Sequence, residues 1–207
     1  MEKTIAKHLL QIKAIKLEPA KPFLWASGWN SPIYCDNRLI LSFPETRKIV
    51  KQSFCDLAGS LFPSATLIAG VATGAIAHGA LVADQLDLPF AYVRPAPKAH
   101  GLANMIEGHV NEYDRVVVIE DLVSTGKSSL AAVEALRSTG CEILGMLAIF
   151  TYGFDIAADN FRLNSCELQT LTNYHTLIQV ARNMGIVGKE QLETLQEWRN
   201  NPADWGV

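Results

Sequence analysis

Four consecutive β-branched residues, Val116, Val117, Val118 and Ile119, restrict the fold of this chain more than any other feature. An apolar run without polar alternation suits a strand buried on both faces of a parallel sheet. Glu120 and Asp121 end the run, Leu122 and Val123 follow, and Ser124, Thr125, Gly126, Lys127 and Ser128 then crowd hydroxyls and one flexible glycine into a turn. Residues 130–137 have the pattern of a helix. A strand, a small-residue turn and a helix start gather unpaired backbone N–H groups and the positive end of a helix dipole around one point, which suits a phosphate.

The triplet Gly126-Lys127-Ser128 matches the tail of a nucleotide-binding P-loop, but that pattern needs a glycine five residues earlier, where this chain has Asp121. Without it, the order of four hydrophobic residues, two acids, two hydrophobic residues and S-T-G-K-S closely resembles the phosphoribosyl-diphosphate motif of the type I phosphoribosyltransferases. The resemblance implies that Glu120 and Asp121 hold the ribose hydroxyls. It also implies that Leu122, Val123, Ser124, Thr125, Gly126, Lys127 and Ser128 wrap the 5′-phosphate. The chemistry agrees with the composition: loss of diphosphate from ribose C1 builds positive charge that carboxylates stabilise, and the phosphate serves as a handle that orients C1.

Other stretches fall into register with this motif. The segment S-G-W-N-S-P-I-Y, followed by C-D-N-R, resembles the N-terminal hood of the branch of that family that acts on orotate. The match makes Tyr34 and Cys35 base-contact candidates, with Ser124 reaching the base from the phosphate turn. The bracketed turn G-V-A-T-G at residues 70–74 resembles the diphosphate loop and brings in Thr73. R-P-A-P-K-A-H-G at residues 94–101 resembles a catalytic flap, in which Arg94, Lys98 and His100 contact diphosphate and Lys98 neutralises the leaving group. The chain departs from that branch in places. Ala26, Thr73 and Pro95 stand where many relatives carry lysine, and no arginine lies between Thr151 and Phe161, where one often binds the carboxylate of the base.

With 207 residues and 49% hydrophobic content, the chain can bury one full core with a small appendage. A net charge of −3 argues against general binding to nucleic acid or a membrane surface, and no apolar stretch reaches membrane-span length. The N-terminus lacks the apolar core of a signal peptide, and Cys35, Cys55, Cys141 and Cys166 form no C-x-x-C pair. A cytoplasmic protein with free thiols is the expectation. The five histidines show no metal-ligand spacing either.

Apolar residues at helical intervals predict an N-terminal helix reaching as far as Ile15, helices over residues 44–58 and 75–85, and a final helix over 189–199. Short apolar runs predict strands over residues 65–69, 88–93 and 141–150, while residues 171–180 read as helix. Strands alternating with helices imply an α/β fold with a central parallel sheet flanked by helices. Residues 1–42 form a helix and hood over the base site, and residues 43–207 the core. The resemblance then implies Mg²⁺-dependent transfer of ribose 5-phosphate from phosphoribosyl diphosphate to orotate, by a homodimer with shared active sites, and no cage of protein metal ligands. Two alternatives stay open: a purine or uracil transferase, and a non-catalytic sensor of phosphoribosyl diphosphate.

Overall fold

The computed structural model describes residues 1–25, 28–96 and 105–205. The N-terminal part comprises α1 (Glu2–Gln11), β1 (Ile15–Leu17), β2 (Phe23–Leu24), β3 (Asn30–Ser31), β4 (Ile33–Cys35) and a 3-10 helix (Asn37–Ser42). The core continues through α2 (Pro44–Leu61), β5 (Leu67–Val71), α3 (Ile76–Leu86), β6 (Phe90–Val93), β7 (Ile106–Glu107), β8 (Arg115–Val123) and α4 (Lys127–Arg137). It ends with β9 (Glu142–Thr151), α5 (Asp155–Leu163), β10 (Leu168–Asn173), α6 (Tyr174–Asn183) and α7 (Lys189–Asn200).

The β-branched run is the middle of β8. That strand sits between β5 and β9, with Val118 across from Ala69 on one side and Met146 on the other. The sheet order is β10-β9-β8-β5-β6-β7, parallel throughout except that β7 runs antiparallel to β6. Strand alternation sends Val117 and Ile119 into one apolar layer with residues of α1, α2, α3, α6 and α7. Val116 and Val118 enter the other layer, against Leu130, Val133 and Leu136 of α4 and Phe161 of α5. All four are fully buried, which a strand covered by helices on both faces requires.

The hood is built from two short antiparallel pairs, β1 with β4 and β2 with β3, and is anchored to the first layer by buried Ile33 and Ile40. Two expectations need correction here. Ile15 belongs to β1, opposite Cys35, and not to α1; the helix ends near Gln11, and Lys13 takes a left-handed conformation that turns the chain. Helical spacing misled because Leu9 and Ile15 face the same apolar layer from different elements. Residues 171–173 are strand, not helix: they complete edge strand β10, and the Asn173 side chain caps α6 by accepting from the Thr176 N–H. A half-polar edge strand running directly into a helix has no apolar signature of its own. Beyond the flap candidate, residues 106 and 107 pair with β6.

Ile119→Ala should lower the unfolding free energy by about 2–5 kcal/mol, whereas the same change at exposed Leu163 should stay within about 0.5 kcal/mol. Urea unfolding of both variants measures the contrast.

Candidate active site

Parallel strands present their carboxyl ends along one edge of the sheet, where α/β proteins bind ligands. Four segments converge there: the turns after β5, β6 and β8, and the hood.

After β5 the chain runs through Ala72 and exposed Thr73 to Gly74, across an Ala72–Thr73 peptide bond that is cis. Gly74 is dictated by contact, because a Cβ there would collide with the carboxylate of Asp121. The diphosphate-loop candidate and the leading carboxylate are therefore packed against each other. The Ala72 N–H donates to the Val93 carbonyl, which places Arg94 beside this turn. Arg94 is held through its backbone N–H to Met105 and lies 3.6 Å from Glu107. Pro95 is described as well, and the turns meet around a cavity of about 70 Å³ that touches Ala72, Arg94 and Ser128. Lys98 and His100, together with Ala26, lie outside the described residues.

The acid pair at the end of β8 is divided by strand alternation. Asp121 faces the crevice and is partly exposed, whereas Glu120 is 4% exposed and turned towards α4. One Glu120 oxygen accepts from the Asp121 N–H at 2.8 Å and the other from the Ser129 hydroxyl at 2.8 Å. Burial, and after it the charge of Asp121, push the Glu120 pKa up to about 8. Leu122 and Val123 remain strand residues, paired with Phe150 and Thr151, and the buried Val123 carbonyl accepts from the Thr151 hydroxyl. The open part of the turn is residues 124–126. There Thr125 gives its carbonyl to Asn160 and Gly126 adopts φ +80°, with a Cβ at this position only 2.7 Å from the Phe161 ring. No side chain caps α4, so its first-turn N–H groups, with exposed Lys127 and Ser128 beside them, face the turn.

The hood closes the other side. Tyr34 is 38% exposed, and the charges of Asp121 and Asp36 add to burial in raising the Cys35 pKa well above its usual value. Tyr34, Cys35 and Asp121 likewise all act on Tyr152, whose buried phenol titrates far above normal, chiefly through desolvation. The two orotate-contact candidates of the hood, the ribose acid and Tyr152 thus share one neighbourhood. Asn37, 1% exposed, donates from its side chain to the Asp121 carbonyl at 2.6 Å. Asn37 Oδ1 and His78 Nε2 are buried without a recorded hydrogen-bond partner.

Asn37, Ser129 and Tyr152 were not singled out from the sequence. Asn37 lies inside C-D-N-R and Ser129 directly follows the phosphate motif, so proximity to a motif was the available signal. Tyr152 shows no such mark.

The phosphoribosyl transferase domain model matches residues 42–183. Orotate phosphoribosyltransferase of Cytophaga hutchinsonii is 55% identical over 203 residues, covering 98% of this chain and 97% of the relative. The chain belongs to the orotate phosphoribosyltransferase family. The enzyme of the same name from Bacillus caldolyticus is 50% identical over 206 residues, with full coverage of both chains. Among solved structures, the orotate phosphoribosyltransferase from Aeropyrum pernix superposes with a TM-score of 0.77 at 28% identity, covering 89% of this chain and 99% of that one. Leishmania donovani UMP synthase gives 0.80 at 25% identity over 96% of this chain, which spans 42% of that longer protein. The fold is therefore the type I phosphoribosyltransferase fold, with the orotate family's hood motif at its N-terminal end.

The folded-state pKa of Glu120, about 8, lies above its ordinary value of 4.5, so the folded protein binds an extra proton between those limits. The stability this group contributes is full at low pH and is lost as pH rises towards about 8. Glu120→Gln cannot ionise, so it should gain stability relative to the parent between about pH 5 and pH 8. Equal urea midpoint differences at the two pH values would contradict this.

Proposed function

We propose that this chain transfers ribose 5-phosphate from phosphoribosyl diphosphate to N1 of orotate, giving orotidine 5′-phosphate and diphosphate for pyrimidine nucleotide synthesis. The observation that carries the reading is the contact of Asp121 with Gly74, which sets a carboxylate between the phosphate turn and the diphosphate loop.

In the reaction the C1–O bond to diphosphate breaks, the N1–C1 bond forms, and the N1 proton passes to solvent or to diphosphate. Asp121 lies under the ribose, accepts from its hydroxyls and stabilises the positive ring of the transition state. Residues 124–128 wrap the 5′-phosphate with backbone N–H groups, hydroxyls and the Lys127 ammonium. Leu122 and Val123 form the floor of that turn. Glu120 ties the Asp121 N–H to Ser129 at the start of α4, which keeps ribose acid and phosphate turn in one rigid unit; it comes to the ribose only by swinging away from Ser129. Thr73 and Arg94 hold the diphosphate, while Lys98 and His100 close over it and neutralise the departing charge. Tyr34 stacks on the pyrimidine, with the backbone of Cys35 and the hydroxyl of Ser124 hydrogen-bonding its edge.

The donors suit a magnesium ion carried in by the substrate. Asp121 offers one carboxylate to the crevice, and among the described residues no group of three His, Cys, Asp or Glu side chains could cage a metal. Mg²⁺ commonly keeps its waters and binds through substrate phosphates, and when bound it neutralises diphosphate charge. The hood of residues 1–42 covers the base, and the flap lysine of each protomer reaches into the site of a homodimeric partner. Free cysteines accord with a cytoplasmic location, and no helix among the described residues is long and apolar enough to cross a membrane.

Turnover should occur with orotate and fail with uracil, hypoxanthine and adenine, and Asp121→Asn should lower kcat by about 100-fold or more. Efficient use of uracil, or full turnover by Asp121→Asn, would refute the assignment. Mixing inactive Lys98→Ala with inactive Asp121→Asn should recover about a quarter of the parental activity, because half of the dimers are hybrids with one intact site. Absence of recovery after subunit exchange would place Lys98 in its own protomer's site.

A further inference from the structure

Orotate differs from uracil by a carboxylate on the ring, and a carboxylate leaving water for a crevice needs a cation with hydrogen-bond donors in the right geometry. Several cations lie near the crevice, and exposed Lys16 stands opposite Tyr34 in the β1–β4 pair. Arg38, close enough to feel Tyr34 and Asp121, is held in a fork by Asp36, with Nε to Oδ1 at 2.7 Å and Nη2 to Oδ2 at 3.0 Å. Arg94 serves the diphosphate side next to Glu107, and Lys127 stands at the phosphate turn.

The turn that follows β9, next to Tyr152, is reached from far along the chain. Tyr152 is bound to β8 through its N–H to the Val123 carbonyl, and the next residue, Gly153, accepts a hydrogen bond from Nη2 of Arg199. A Cβ at position 153 would meet that nitrogen at 3.7 Å, an ordinary van der Waals contact, so the guanidinium packs directly against this turn. The other charged contact of Arg199 is with Asp155, at 3.8 Å, and that carboxylate is 98% exposed and therefore weak competition. Both contacts use Nη2, so among the described residues these partners leave the donors on Nε and Nη1 unengaged.

The position of this arginine is firmly held. Trp198, fully buried, packs its ring 5.6 Å from those of Trp25, Tyr152 and Phe154 and donates to the Asn30 carbonyl of the hood at 3.1 Å. Helix α7 is thus pinned to both hood and β9 by one residue, and the following side chain is aimed by that anchor. The Arg199 side chain retains 34% exposure and lines a cavity of about 260 Å³ with Trp29, Phe154 and Ile156 between hood and α7. A guanidinium among aromatic walls pairs with an anion more strongly than one in open water.

We propose that Arg199, delivered by α7 to the Gly153 turn, is a specificity-determining residue that recognises the carboxylate of orotate. This rests on orotate being the base, so it is testable only once the parent protein turns orotate over; failure of the parent to do so would refute the activity and not the part played by Arg199.

Arg199→Gln should raise the KM for orotate about 30-fold or more, while the KM for phosphoribosyl diphosphate stays within about twofold. The preference for orotate over uracil should fall with it, and Arg199→Lys should recover part of the loss. An unchanged orotate KM overturns the proposal. So does a loss shared equally by both substrates with a matching drop in Tm, the signature of a strut between α7 and β9. Should Arg199→Gln not fold, Arg199→Lys decides: an orotate KM raised several-fold with the other KM unchanged supports recognition, and no selective change overturns it.

Discussion

The contact between the Asp121 carboxylate and Gly74 is the constraint on which the crevice depends. It requires the ends of β8 and β5 to be adjacent in a parallel sheet and the residue at 74 to have no side chain. It also sets the Asp121 carboxylate at the fork between the turn after β5 and the turn after β8. Keeping a carboxylate in such a place demands support from behind, and Asn37 provides it by donating to the Asp121 carbonyl across 84 residues of sequence. Beside it, Asn37 Oδ1 and His78 Nε2 are buried without a hydrogen-bond partner among the described residues, where the hood, α3 and β8 meet.

The second consequence of β8 is a division of labour between neighbouring acids. Asp121 faces the hood layer and Glu120 the α4 layer, and alternation along one strand accounts for it. Ser129 receives the buried acid and so ties the helix start to the ribose side. The start of α4 and the Asp121 backbone are thereby held on one rigid body.

The hood is a thin structure of two- and three-residue strands, and such pairs are not stable alone. Its order comes from the apolar layer under Ile33 and Ile40 and from the aromatic group of Trp25, Tyr152, Phe154 and Trp198. Because α7 supplies Trp198, the last helix of the chain is a structural part of the hood's foundation. The helical spacing over residues 189–199 predicts this helix but not where its end arrives.

The sequence by itself determined the buried central strand, the phosphate turn behind it, the alternation of strands and helices and the family motifs, since these are local: β-branched runs, glycine-bracketed turns and small residues before a helix act over a few positions. Only the tertiary structure decided that Glu120 and Asp121 point into different layers, that Ile15 leaves the helix for a strand, that residues 171–173 form the sheet edge, and that Asn37 and Arg199 arrive beside Asp121 and Gly153. Those outcomes depend on which surfaces meet after the chain has folded, and a contact between residues 46 or 84 positions apart leaves no periodicity in either segment from which it could be read.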